Sequence, residues 1–280
     1  MPLINSQELA ERLNKKNTIL LDGSWYLPTQ KRNAYSEYQE RRIPGARFFD
    51  IDHISDPNSR FPHTIPGVER FESEVEKLGI SSDSNVVVYD GSGIFSAARV
   101  WWMFRLFGHD RVSVLDGGLS DWIKTGFELE RGQVETISPS PTGFTARLDP
   151  SMTMTMEQMR ENCESNAVTV LDARPQGRFM GIDAEPRPGL KSGHMPGAIS
   201  LPFSMLLKNG RMKSSKELLA IFNGLGVSQE SNITTSCGSG VTAAIITLAL
   251  SVAGLGPGRL YDGSWTEWAS YPSNPIMTGG

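Results

Sequence analysis

Asn232-Ile-Thr-Thr-Ser-Cys237-Gly-Ser-Gly-Val-Thr242 runs directly into Ala243-Ala-Ile-Ile-Thr-Leu-Ala-Leu250. A β-branched run, a glycine-rich turn and an apolar helical run follow one another without a break. This order brings free backbone N–H groups and the positive end of a helix dipole to the cysteine. Such a field favours the thiolate, which is the nucleophilic form. Cys237 is one of only two cysteines in 280 residues, and it occupies the place where a reactive one would be built. The stretch predicts a covalent enzyme on an α/β fold.

The same pattern occurs earlier in the chain with a different residue at its centre. Val87-Val-Tyr-Asp90-Gly-Ser-Gly-Ile94 answers Thr234-Thr-Ser-Cys237-Gly-Ser-Gly-Val241. Leu20-Leu-Asp22-Gly answers Val170-Leu-Asp172-Ala, and Ile43-Pro-Gly-Ala46 answers Met195-Pro-Gly-Ala198. Leu115-Asp-Gly-Gly118, with Trp122, answers Tyr261-Asp-Gly-Ser264, with Trp268. Four collinear matches at nearly one offset indicate two copies of one fold. Asp90 at the cysteine position makes the first copy non-catalytic. The expected division is an N-terminal domain over 1–130, a linker over 131–152 rich in Pro, Ser, Thr and Gly, and a catalytic domain over 153–280.

Within each copy, short β-branched runs alternate with helical segments. Val86–Tyr89, Val112–Leu115, Val168–Leu171 and Ile233–Ser236 are the strand candidates. Glu69–Lys77, Ser96–Phe107, Met156–Cys163 and Val241–Val252 are the helix candidates. The alternation predicts two tandem domains, each a parallel β-sheet flanked by helices on both faces, with sites at the carboxyl ends of strands.

Composition removes several function classes. Hydrophobic residues make up 39% and charged residues 21%, and the net charge is −4. That balance offers no general attraction to nucleic acid or an anionic membrane. The N-terminal Met1-Pro-Leu-Ile-Asn-Ser-Gln-Glu lacks the basic and apolar regions of a signal peptide, and the apolar run Val241–Leu255 is too short to span a bilayer. The two cysteines, 163 and 237, have no metal-ligand spacing, and Cys163 follows Met156 and Met159 at helical offsets, as a packing residue would. Reduced thiols in the cytoplasm fit better than a disulfide scaffold.

The motifs resemble the rhodanese superfamily over nearly the whole chain, and within it the mercaptopyruvate sulfurtransferases. Cys237-Gly238-Ser239-Gly240-Val241-Thr242 is similar to the active-site loop of that group. Thiosulfate-using members carry basic residues just after the cysteine, where this chain has neutral Gly238 and Ser239. Cysteine phosphatases of related fold place an arginine six residues after the nucleophile, where this chain has Ala243.

Asp172-Ala-Arg-Pro-Gln-Gly-Arg178, then Glu185-Pro-Arg187, resembles the substrate loop, and the resemblance gives Arg178 and Arg187 the substrate anion. The same two arginines lie close to Asp183 and Glu185, with which they would otherwise form surface ion pairs. Phe48-Phe-Asp-Ile-Asp52, then Phe61-Pro-His63, resembles the segment whose Asp and His work with the loop serine, here Ser239. Arg42 stands before the first Ile-Pro-Gly-Ala where relatives often have His, a position read as structural.

The resemblance implies transfer of the sulfur of 3-mercaptopyruvate through a Cys237 persulfide to a thiol acceptor such as thioredoxin, or to cyanide, with release of pyruvate. Gly238, Gly240, Val241 and Thr242 would line the substrate side of the loop. No metal or organic cofactor is implied, and a monomer is expected. Thiosulfate sulfurtransferase activity and a persulfide carrier module are the alternative readings.

Overall fold

The computed structural model describes residues 1–279 apart from Asn14, Lys16, Glu135, Thr136, Ser140 and Pro141. The chain divides into two units. The first comprises Met1–Asn58, Ile65–Asp149 and Asn209–Met212, and the second comprises Ser59–Thr64, Pro150–Lys208 and Lys213–Gly280.

The first unit holds a five-stranded sheet in the order Leu3–Ile4, Val112–Leu115, Asn85–Tyr89, Thr18–Asp22, Arg47–Phe48. Every pairing is parallel. The second unit repeats the order with Thr153–Met154, Arg259–Tyr261, Ile233–Ser236, Thr169–Asp172 and Ala198–Ser200, again all parallel. Helices Ser6–Leu13, Ala34–Glu40, Val68–Lys77, Ala97–Leu106 and Gly118–Lys124 accompany the first sheet. Met156–Ser165, Gln176–Phe179, Ser215–Gly224, Ala243–Ala253 and Ser264–Trp268 accompany the second.

The central strands are covered on both faces, as parallel strands must be. Val86, Val87, Val88 and Tyr89 are buried in the first unit, and Ile233 to Ser236 in the second. Cys237 therefore leaves the carboxyl end of a central strand. Its neighbour Thr169–Asp172 pairs with it residue for residue, from Ile233 opposite Thr169 to Ser236 opposite Asp172. The chain runs outward in opposite directions from these two strands, so their carboxyl ends flank the crevice where such sheets place ligands. Cys237 and the segment carrying Arg174 and Arg178 emerge side by side there.

Local chemistry explains the helix starts in the second unit. Thr155 and Gln158 form a reciprocal capping box on Met156–Ser165, and Ser214 and Glu217 form another on Ser215–Gly224. Cys163 packs, half-buried, against a core of Met154, Met156, Met159, Val170, Met195, Tyr261, Trp265 and Trp268.

The stretch expected to be a linker behaves differently at its C-terminal end. Phe144 and Ala146 are buried, and the amides of residues 144 and 146 donate to the carboxylates of Glu76 and Glu72. The amides of Arg147 and Asp149 bond to the carbonyls of Phe107 and Leu106. These bonds tie the segment up to Asp149 into the first unit, so it has the satisfied backbone of a packed element. Four residues of the expected linker, Glu135, Thr136, Ser140 and Pro141, lie outside the described residues. His63, read with the first domain from its position in the chain, is grouped with the second unit. Among the described residues no helix is long and apolar enough to cross a membrane.

Candidate active site

Cys237 is 2% exposed and opens the turn that ends in the helix Ala243–Ala253. Thr242 is the residue just before that helix, and Gly240 has φ +77°, the left-handed conformation that glycine takes without steric cost. The segment Ser264–Thr266 grips the start of the turn. The Cys237 amide donates to Ser264 Oγ (3.2 Å), and the Cys237 carbonyl accepts from the Trp265 amide (2.9 Å). The Gly238 carbonyl accepts from both the amide (2.9 Å) and the hydroxyl (2.5 Å) of Thr266.

Peptide planarity turns this grip into chemistry. In a trans peptide the C=O and the next N–H point in opposite directions, and no described peptide is cis. Holding the carbonyls of Cys237 and Gly238 against Ser264–Thr266 therefore directs the amides of Gly238 and Ser239 away from that segment. Successive amides aimed at one point form a nest for an anion.

The first unit shows what the same turn holds when no cysteine is present. Asp90, 1% exposed, occupies the matching position, and its carboxylate accepts from the amides of Ser92 (2.8 Å), Phe95 (2.7 Å) and Ala97 (2.9 Å). Burial pushes its carboxyl up, and the amide bonds from Ala97, Phe95, Ser92 and Gly93 oppose that push. The Leu119 amide bonds the Asp90 carbonyl (3.1 Å) just as Trp265 bonds that of Cys237. The repeat thus pairs a buried carboxylate in one copy with a buried sulfur in the other.

The sequence-predicted arginines converge on the loop. A methyl group on Gly238 would lie 3.1 Å from Arg178 Nη2 and 3.9 Å from Arg187 Nη1. Arg187 donates from Nη2 to Ser239 Oγ (3.3 Å) and from Nη1 to Thr266 Oγ1 (3.4 Å). Ser239 Oγ also lies 3.2 Å from His63 Nδ1, and both residues are buried. His63 adopts φ +61°, an uncommon conformation for a residue with a side chain that places the ring against the loop serine. Cys237, Ser239, His63, Arg178 and Arg187 are therefore assembled within the second unit. Asp52 belongs to the first unit, where its carboxylate accepts from the Trp25 indole N–H (3.0 Å).

The ion-pair alternative for the arginines is half realised. Arg178 donates from Nε (3.2 Å) and Nη2 (2.5 Å) to Glu185, and the pair is part-buried rather than on the open surface, with side chains 16% and 2% exposed. Arg174 joins the other Glu185 oxygen (2.8 Å) and grips Asp172 through Nε and Nη2. Burial works against the charge on Arg174, and Asp172 and Glu185 outweigh it, so its guanidinium is held above the usual range.

Ser264 and Thr266 were not among the residues expected from the sequence. A signal was present in the repeat, because Ser264 answers Gly118 and both adopt positive φ, +49° and +54°. A serine kept where the other copy uses glycine marks a hydroxyl with a task. Arg42, read as structural, has structural partners, and so does His194, which precedes Met195-Pro-Gly-Ala. Arg42 is fully buried, pairs with Glu130 and donates to the Gly132 carbonyl, while His194 bonds the Phe179 carbonyl and stacks on its ring. Among the described residues no group of three or more His, Cys, Asp or Glu could hold a metal ion.

The rhodanese-like domain model matches twice, over residues 5–125 and 155–271. Human 3-mercaptopyruvate sulfurtransferase is 43% identical, covering 99% of this chain and 95% of its own. Chicken thiosulfate sulfurtransferase is also 43% identical, over 89% of this chain and 85% of its own. Among solved structures, the sulfur transferase subunit of yeast mitochondrial complex I superposes with a TM-score of 0.92 at 41% identity, over the full length of both chains. With a repeated parallel sheet, a cysteine at the end of its central strand and two matches to one family model, this chain belongs to the rhodanese-like domain family.

Proposed function

We propose that this chain is a 3-mercaptopyruvate sulfurtransferase working through a persulfide on Cys237. The observation that carries the reading is the convergence of Arg178 and Arg187 on Gly238, the residue next to the nucleophile. A 2-oxo acid offers a carboxylate and a keto oxygen, and two guanidinium groups suit both by charge-assisted hydrogen bonds. The name of the human relative, 43% identical over 99% of this chain, supports the same substrate.

The Cys237 thiolate attacks the substrate sulfur. An S–S bond forms, the C–S bond breaks, and its electron pair leaves on carbon as the enolate of pyruvate. Ser239, in contact with His63, delivers the proton that converts the enolate to pyruvate. Asp52 is assigned the orientation of that imidazole by resemblance alone. In the second half-reaction a thiolate, such as that of reduced thioredoxin, or cyanide attacks the outer sulfur and regenerates Cys237. The amides of the loop stabilise negative charge on sulfur in both steps. The reading extends to a monomer in the cytoplasm, where both free cysteines would stay reduced.

Two arginines also suit a dianion, and the chicken relative is named for thiosulfate. Assays with each donor separately, using cyanide as acceptor, decide between them. The expected result is a higher kcat/KM for 3-mercaptopyruvate, with turnover abolished in Cys237→Ser. A higher kcat/KM for thiosulfate would overturn the donor assignment, and turnover by Cys237→Ser would overturn the covalent scheme.

A further inference from the structure

Resting on the mercaptopyruvate reading above, we propose that Glu185 is a positioning residue that sets the substrate-facing geometry of Arg178. Arg178 stands on a helix of only four residues, Gln176–Phe179, and one turn gives a long side chain no rigid base. Glu185 supplies that base from outside the helix. Its Oε2 takes Nε and Nη2 of Arg178, and its Oε1 takes Nη1 of Arg174.

Arg174 is itself immobile. It is 1% exposed, bound to both oxygens of Asp172 and to the Gly193 carbonyl (2.7 Å), and lies 4.2 Å from the centre of the Trp265 ring. An unbroken path of charge-assisted bonds therefore runs from the carboxyl end of the strand Thr169–Asp172 to the guanidinium beside Gly238. Because Arg178 is ordered before substrate arrives, its rotamer entropy is not lost on binding. The same carboxylate keeps two neighbouring guanidinium groups, Arg174 and Arg178, from repelling each other in a buried setting.

Glutamine at 185 preserves the volume but offers one accepting oxygen, so it cannot satisfy both arginines. Glu185→Gln is expected to raise KM for 3-mercaptopyruvate about tenfold while kcat stays within about twofold, the pattern of lost ground-state positioning. Discharge of preformed persulfide by cyanide is expected to be unchanged. In an Arg178→Ala background the glutamine change should add less than about twofold to KM, because Glu185 acts through Arg178. Glu185→Asp keeps the charge but falls a methylene short of spanning both arginines, and its KM should rise in the same direction. It is the variant read if the glutamine form does not fold.

Additive KM effects in the double variant, an unchanged KM, or an equal loss in the discharge step would each overturn the proposal. Wild-type kinetics run in parallel separate the two levels. If the wild type does not use mercaptopyruvate, the functional reading fails. If it does and the effects are additive, only the role of Glu185 fails.

Discussion

Gly238 shows how narrowly the loop is defined at the level of one atom. Its backbone is outside the left-handed region, so alanine is allowed conformationally. The obstacle is Arg178, whose Nη2 would sit 3.1 Å from the new methyl group while held by Glu185. Gly238→Ala should therefore push the guanidinium aside by a few tenths of an ångström. We expect kcat/KM for mercaptopyruvate to fall about tenfold, since small misplacements of binding groups are costly. The melting temperature should stay within about 2 °C, as differential scanning calorimetry would show, and an unchanged kcat/KM would mean that the guanidinium yields freely. The residues Cys237 to Thr242 were legible in the sequence because turn, cap and helix start are local. The pairing of Arg178 with Glu185 was not, because Asp183 stood nearer in the chain and only the fold chose between them.

At the level of elements, the ends of corresponding strands have diverged. Thr18–Asp22 and Thr169–Asp172 both end on a buried aspartate. In the second unit Arg174 neutralises it, and the matching residue in the first is Ser24, which donates its amide and hydroxyl to Asp22. Hydrogen bonds from Ser24 and Tyr89 do not offset burial, and the Asp22 carboxyl is pushed up to about 6.

The folded state holds this proton at pH values where the unfolded chain, titrating near about 3.9, has released it. The contribution to stability is fully present below about pH 4 and is lost as pH rises through about 6, amounting to roughly 3 kcal/mol. Urea unfolding from pH 4 to 8 should show that Asp22→Asn gains stability relative to wild type across this window. A constant difference between the two curves would rule out a shifted Asp22. The first strand was marked only by the repeat of Leu20-Leu-Asp22, and the second was readable from the β-branched run Val168–Leu171. Their charge balance was not, because it depends on which residue two positions beyond the strand turns back toward it.

For the whole molecule, the duplication yields two turns of one design, one built around Asp90 and the other around Cys237. Asp90 fills the first nest with its own carboxylate. Cys163 is half-buried, and burial followed by the nearby Glu164 pushes its thiol up, away from the nucleophilic form. Incubation with mercaptopyruvate and no acceptor should add one sulfur per chain by intact mass, and none in Cys237→Ser. A second added sulfur would show that another thiol takes part.

The sequence by itself determined the repeat and the parallel α/β architecture and singled out Cys237 as the candidate nucleophile, because periodicity, turn chemistry and spacing are properties of neighbouring residues, while resemblance pointed to Arg178 and Arg187. Only the tertiary structure decided that Ser264 and Thr266 hold the loop and that Glu185 holds Arg178. Each of those contacts is made through folded space, where burial and hydrogen-bond geometry, rather than proximity in the chain, select the partner.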